Sequence, residues 1–173
     1  LRTRWPDHPW VWNARFLIYA FSGRPHAALD MIDDAGGRPR SVTSETMASW
    51  RPSLAALDNP SPSLIGEAVT ANLAAARKSP GQAAYAAMSL SALGELDAAF
   101  EVAEGFLIAR GPLLTSDRAE PARLMVNDPS WRRTQWLFTP PMKDFRADPR
   151  FQALCDALTL TDYWKLRGAP DIV

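Results

Sequence analysis

Two stretches of the chain share one pattern: an apolar helical run, a glycine turn, and a second helical run closed by glycine and proline. They are HPWVWNARFLIYAFSGRPHAALDMIDDAGGRP (8–39) and GQAAYAAMSLSALGELDAAFEVAEGFLIARG (81–111). In the first, Trp12, Phe16, Tyr19 and Ala20 recur at i, i+4, i+7 and i+8, which places them on one face of a helix. Gly23 can take the left-handed conformation that ends such a helix. Pro25 suits the first turn of the next one, where its missing N–H goes unneeded. Ala28, Met31, Ile32 and Ala35 then form a second inward face, stopped by Gly36-Gly37 and Pro39.

The later stretch repeats this around Gly94, with Ala83, Ala86, Ala87 and Leu90 before it and Ala99, Ala103 and Phe106 after it. Between the two, SLIGEAVTANLAAARKSP (63–80) reads as one more helix, with Ala68 and Ala75 on its inner face. The segment TMASWRPSLAALDNPSPS (46–63) stands where that helix's partner is expected. It holds Pro52, Pro60 and Pro62, so the expected helix there is short or broken.

Helix, glycine turn, helix with small residues at the crossing resembles the tetratricopeptide repeat, whose helix-pair unit is about 34 residues. Trp12, Tyr19, Gly23 and Ala28 match the family's aromatic, aromatic, glycine and alanine positions. Ala68, Ala75 and Pro80 match the second half of a unit, and Gly94 and Ala99 match a third, whose first helix has Ala83 in place of the expected Trp. Alanines at these positions let two helix backbones approach closely. The resemblance implies an all-α fold, with antiparallel helix pairs stacked as a short right-handed solenoid. The pairs are expected at about 8–38, 46–80 and 80–111, within residues 1–113.

After Gly111 the texture changes, and residues 114–173 read as a polar linker and a helical cap of the same domain. WRRTQWLF (131–138) gives a short helix ended by Pro140-Pro141. Asp148 and Pro149 start another, with Phe151, Leu154, Cys155 and Leu158 facing inward. A further short helix spans about Thr161 to Arg167, before Gly168 and Pro170. The sequence LFTPPMKDFRADPRFQALCDALTLTDYWKLRGAPD (137–171) is similar to the tails of bacterial tetratricopeptide proteins joined to winged-helix regulators or nucleotide cyclases. The matching pieces are Phe138 to Pro141, Arg146 to Phe151, Tyr163-Trp164 and Pro170-Asp171. The resemblance implies that the chain, which opens LRTRWPDHPW without an initiator Met, is the C-terminal scaffold of a longer regulator. Residues 145–164 then act as a clasp over the last exposed apolar face, because a stack of repeats buries each face only against a neighbour.

Composition narrows the chemistry. Nineteen basic residues balance nineteen acidic ones, so the chain has no general attraction to nucleic acid or to an anionic membrane. No apolar run reaches the length of a membrane span. Cys155 is the sole cysteine and sits at an apolar helical position, which reads as a buried, inert thiol. His8 and His26 lie at helix starts and form no metal-ligand spacing. There is no Gly-x-Ser-x-Gly elbow. The adjacent Asp33-Asp34 point about 100° apart on a helix and do not make an acid/base pair. These readings argue against an enzyme and call for no cofactor or metal.

What remains is binding by shape. The resemblance puts the first helix of each pair on a concave groove. In that phase Asn13 and Leu17, with Tyr85 and Met88, look toward a protein or peptide partner, unless the tail covers them. The polar set of a carboxylate clamp is missing, since Leu17, Ala84 and Met88 stand where more such groups are expected. Trp131 and Trp136, beside Arg132-Arg133, form either a self-association surface or a packing contact for the last helix pair. The expected function is a non-catalytic interaction scaffold, regulatory within a bacterial signalling or transcription protein, with a homodimer among its partners. The alternative is a small-ligand sensor with an apolar pocket between repeats and tail. The expected compartment is cytoplasmic, or periplasmic if the regulator is membrane-anchored.

Overall fold

The computed structural model describes residues 8–40, 42–78, 80–113 and 134–169. Among them are nine α-helices and no strand, which makes the fold all-α. The chain divides into two compact units, Leu1–Ala71 and Asn72–Val173, with the boundary inside a helix.

The first unit is built on α1 (Pro9–Phe21), α2 (Pro25–Asp33), α3 (Ser44–Asp58) and the first part of α4 (Pro62–Lys78). His8 caps α1, its Nδ1 accepting from the Trp10 N–H at 3.2 Å. Gly23 has φ 75°, and Pro25 opens α2 as the spacing requires. Asp34 ends α2 by accepting from the N–H groups of Gly36 (3.1 Å) and Gly37 (3.0 Å). α2 packs between α1 and α3. Its start meets the end of α3 through His26 and Asp58 (3.6 Å), and its end meets the middle of α3 through Asp33 and Arg51. The two helices are therefore antiparallel. The core is aromatic: Trp12 stacks on Phe16 (5.4 Å), and Phe16 on Trp50 of α3 (4.3 Å). Ala28 and Ile32 of α2 are fully buried, while Ala35 lies beyond the end of its helix and is exposed.

α3 corrects the sequence reading. It is one continuous helix of 15 residues with Pro52 inside it. Proline there deprives the Ala48 carbonyl of its donor and costs about 3 kcal/mol. On the other side, α3 buries Trp50 and Leu54, each worth about 1.5–3 kcal/mol, and Ala56 besides. Tertiary burial outweighs the local penalty. Thr43 adds a cap, its hydroxyl accepting from the Thr46 N–H at 3.2 Å. Pro60 falls between α3 and α4, and Pro62 takes the first position of α4.

The second unit takes the end of α4, the pair α5 (Pro80–Ala92) and α6 (Leu96–Ile108), and the tail. Asn72 and Ala76 of α4 are buried, and Arg77 reaches Glu101 of α6 at 3.7 Å. Gly94, with φ 81°, makes the turn between α5 and α6. Ala83, Ala86, Ala87 and Leu90 are buried against α6, and Ala99, Ala103 and Phe106 against α5 and the tail.

The tail consists of two 3-10 turns (Gln135–Phe138 and Pro140–Met142) followed by α7 (Lys143–Ala147), α8 (Arg150–Ala157) and α9 (Leu160–Arg167). α7 is a helix that the sequence reading lacked. It packs on both α5 and α6. Phe145 of α7 is fully buried, stacked on Phe100 at 3.9 Å and met edge-on by Phe151. Phe151, Leu154 and Cys155 of α8 are buried as expected, and Leu158 is half-buried. Phe138 joins the ends of the tail, meeting Phe151 (6.3 Å) and Trp164 (6.0 Å) edge-on.

Gly105 on α6 lies under Leu113. A Cβ added to it would meet the Leu113 Cβ at 3.0 Å and the Leu113 carbonyl oxygen at 3.4 Å. Replacing glycine within a helix usually gains up to about 1 kcal/mol, but overpacking costs about 1–3 kcal/mol. Gly105→Val is therefore expected to lower the melting temperature, and a higher one would refute this close approach.

Candidate interaction surface

The tail decides which expected contact residues remain accessible. Residues 85–91 of α5 are buried without a break, so this helix is covered on every side. Tyr85 is 6% exposed and Met88 7%. The Thr139 hydroxyl donates to the Met88 sulfur at 3.4 Å, and the Ser91 hydroxyl to the Pro141 carbonyl at 2.8 Å. The expectation that Tyr85 and Met88 line an open groove is thus corrected: the chain's own proline-rich turn occupies that face. Burial drives the Tyr85 phenol well above its ordinary range, opposed by its hydrogen bond with Ser89.

For Trp136 the structure selects the second of the two expectations, a packing contact for the last helix pair. Trp136 is 7% exposed and packs beside Phe106 of α6 (6.4 Å), so its ring offers no self-association surface. Trp131, with Arg132 and Arg133, lies outside the described residues.

Polar groups of the tail hold it in place. Arg146 donates to the carbonyls of Leu137 (2.8 Å) and Thr139 (3.0 Å), fastening α7 to the first 3-10 turn. Arg150 pairs with Asp148 (2.8 Å) and with Asp97 of α6 (2.7 Å), while its guanidinium lies 4.2 Å from the Phe100 ring centroid. Asp148, Arg150 and Asp97 thus form an ion-pair cluster, while Arg146 donates to backbone carbonyls. Asp148 also accepts from the Arg150 N–H at 2.9 Å, which caps the start of α8. These bonds from Arg150 lower the Asp148 carboxyl from its ordinary 3.8 to about 2.

Because the folded pKa lies below the ordinary one, protonation of Asp148 opposes folding. Its contribution is complete above 3.8 and disappears as the pH falls through about 2. Asp33, through Arg51, and Asp156, through Thr161 and Gln152, shift in the same direction. A melting curve taken at stepped pH is expected to fall mainly in that window. Asp148→Asn should make the fall shallower, and an unchanged slope would count against the capping role.

Cys155 is buried, and burial raises its thiol to about 11. Alkylation at neutral pH is expected to be slow in the native protein and fast in denaturant. Rapid native labelling would show that α8 does not stay docked.

The other two expected contact residues, Asn13 and Leu17, are half-buried on α1. Beside them stand two residues the sequence reading did not single out, Trp10 (64% exposed) and Ile18 (56%). At 100° per residue, Trp10, Asn13, Ala14, Leu17 and Ile18 share an arc of about 140°. The buried residues Trp12, Phe16 and Ala20 occupy the other side. The signal was present: α1 is apolar on more of its circumference than one core-facing stripe requires.

Histidines and acids show no catalytic convergence among the described residues. His8 is a helix cap, His26 pairs with Asp58, Asp33 with Arg51, and Asp34 caps the glycine turn. No group of three or more His, Cys, Asp or Glu is placed to hold a metal ion among them. No helix of the described residues is long and apolar enough to cross a membrane. Comparison with protein-family models, with curated proteins and with solved structures finds no match to this chain.

Proposed function

We propose that this chain is a non-catalytic interaction scaffold whose docking face is the outer arc of α1. The observation that carries this reading is the exposure of Trp10 and Ile18 beside Asn13 and Leu17, an apolar arc on an otherwise well-packed helix. Trp10 supplies a large rigid contact, and the Asn13 amide can bond a partner's backbone. The partner is a protein or peptide, and a second copy of this chain is one form of it. The tetratricopeptide-like stacking of helix pairs belongs to the same proposal. So does a place as the C-terminal regulatory domain of a bacterial signalling or transcription protein, which the tail motif from Arg146 to Phe151 supports.

The test is a comparison of the parent with a Trp10→Ser/Ile18→Ser double variant, by light scattering over about a hundredfold range of concentration and by partner capture. A dimer or a captured partner lost in the variant supports the reading. Association identical in both proteins refutes it. One observation favours the alternative, a small-ligand sensor. The buried indole N–H of Trp136, between tail and α6, has no acceptor among the described residues, and a ligand oxygen would satisfy it. A ligand that raises the melting temperature of the parent but not of Trp136→Phe would select that reading.

A further inference from the structure

We infer that Arg15 and Arg24, held at the ring of Tyr19, form a carboxylate-binding pair that selects an acidic peptide segment for the α1 face, an inference that rests on the scaffold reading above. Arg15 and Tyr19 stand four residues apart on α1, and Arg24 lies in the turn to α2. Their guanidinium carbons are 5.9 Å and 4.7 Å from the same ring centroid. Both distances lie within the range of a cation–π contact, about 6 Å.

The two differ from the arginines that brace the fold. Arg51, Arg77 and Arg150 each meet a carboxylate, and Arg38 and Arg146 each donate to a backbone carbonyl. Among the described residues the side chains of Arg15 and Arg24 meet only the Tyr19 ring. Their N–H forks are thus free for a planar acceptor such as a carboxylate. The ring also limits the freedom of both side chains before any partner arrives, which reduces the ordering cost of binding.

Their neighbours fix the kind of partner. Ile18, exposed, is adjacent to Tyr19 and three residues beyond Arg15, and Val11 is half-buried four residues before Arg15. Apolar anchors and two cations therefore lie together on one edge of the arc. α1 contains no Asp or Glu, and Arg15 is its only charged residue. That edge complements a segment carrying apolar side chains flanked by Asp or Glu. Nucleic acid is disfavoured, because the chain has zero net charge and its binding needs a broad basic field.

The test uses the full chain and two fluorescein-labelled peptides of the same length, one with Leu and Glu at alternating positions and one with each Glu replaced by Gln. Anisotropy is expected to show the acidic peptide binding at least about tenfold tighter at low salt. Arg15→Gln/Arg24→Gln should remove that preference, with its fold checked by circular dichroism. Tyr19→Leu keeps both charges and should shrink the preference, because the cations lose their common support. Ile18→Ser should weaken both peptides alike. Equal affinity for the two peptides, or a preference kept by the double arginine variant, overturns the inference and leaves the scaffold reading standing. Failure of both peptides to bind at about 1 mM also overturns it, while the scaffold reading then rests on the light-scattering comparison.

Discussion

Phe145→Ala is expected to destabilise the second unit by about 3–5 kcal/mol, the range for truncating a fully buried aromatic ring. Phe145 is stacked on Phe100 at 3.9 Å and meets Phe151 edge-on at 5.9 Å. Removing the ring costs its transfer energy, two aromatic contacts and the cavity left between α6, α7 and α8. A typical domain has about 5–15 kcal/mol of stability in all, so this loss is a large share. For units of this size it corresponds to roughly 4–8 °C of melting temperature per kcal/mol. Phe145→Leu keeps most of the volume and should lose far less. Denaturant unfolding of the two variants checks this, and equal small losses would show that α7 is not the centre of the clasp. Phe151→Ala, at a neighbouring buried ring, should act in the same direction.

The second large effect belongs to the first unit. Phe16 is fully buried between Trp12 (5.4 Å) and Trp50 (4.3 Å), so its ring joins α1 to α3. Phe16→Ala should also cost about 3–5 kcal/mol. It should do more than that to α3, because burial of Trp50 offsets the penalty of Pro52 inside that helix. Once the stack is open, Pro52 has less holding it in a helical backbone. Far-ultraviolet circular dichroism should therefore show reduced helix content in Phe16→Ala well below its melting temperature. Full helicity with unchanged stability would mean that α3 tolerates Pro52 without the aromatic stack. In that case Pro52→Ala should gain little.

Both effects depend on contacts between residues far apart in the chain. Phe100 and Phe145 are separated by 45 positions, and Phe16 and Trp50 by 34. Neither pairing follows from periodicity. The inner faces of the individual helices do: the spacings mark Trp12, Phe16 and Ala20, Ala83, Ala86, Ala87 and Leu90, and Phe151, Leu154 and Cys155, which are buried, with Tyr19 and Leu158 half-buried. The 3.6-residue period is a local property, and any helix with one core-facing side displays it. Positive φ at Gly23 and the helix start at Pro25 were legible for the same reason.

The candidate surface was only half legible. Asn13 and Leu17 were reached through the phase of α1, and they lie half-buried on the same arc as the exposed Trp10 and Ile18. Tyr85 and Met88 came from the same phase argument on α5, and both are buried, Met88 beneath Thr139. Phase tells which side of a helix faces away from its partner in a pair. It does not tell whether a later part of the chain returns to cover that side. Trp136 was left between two readings for a related reason: a tryptophan beside arginines fits a surface as well as a core until its neighbour, Phe106, is known. Arg15 and Arg24 carried no motif at all, and their convergence on Tyr19 requires the turn between α1 and α2 to be built.

Local sequence was enough for the all-helical class and for the buried sides of α1, α5, α6 and α8, because these follow from backbone preferences and spacing. Tertiary structure alone decided three things. It carried α3 through Pro52, since burial of Trp50 and Leu54 outweighs one lost hydrogen bond. It closed the face of α5 with the tail, since the ring of Phe145 gains more on Phe100 of α6 and against Phe151 than in water. It left Trp10 and Ile18 exposed on α1, where burial of the opposite side is already complete. A contact energy exists only between two surfaces, and one stretch of sequence shows only one of them.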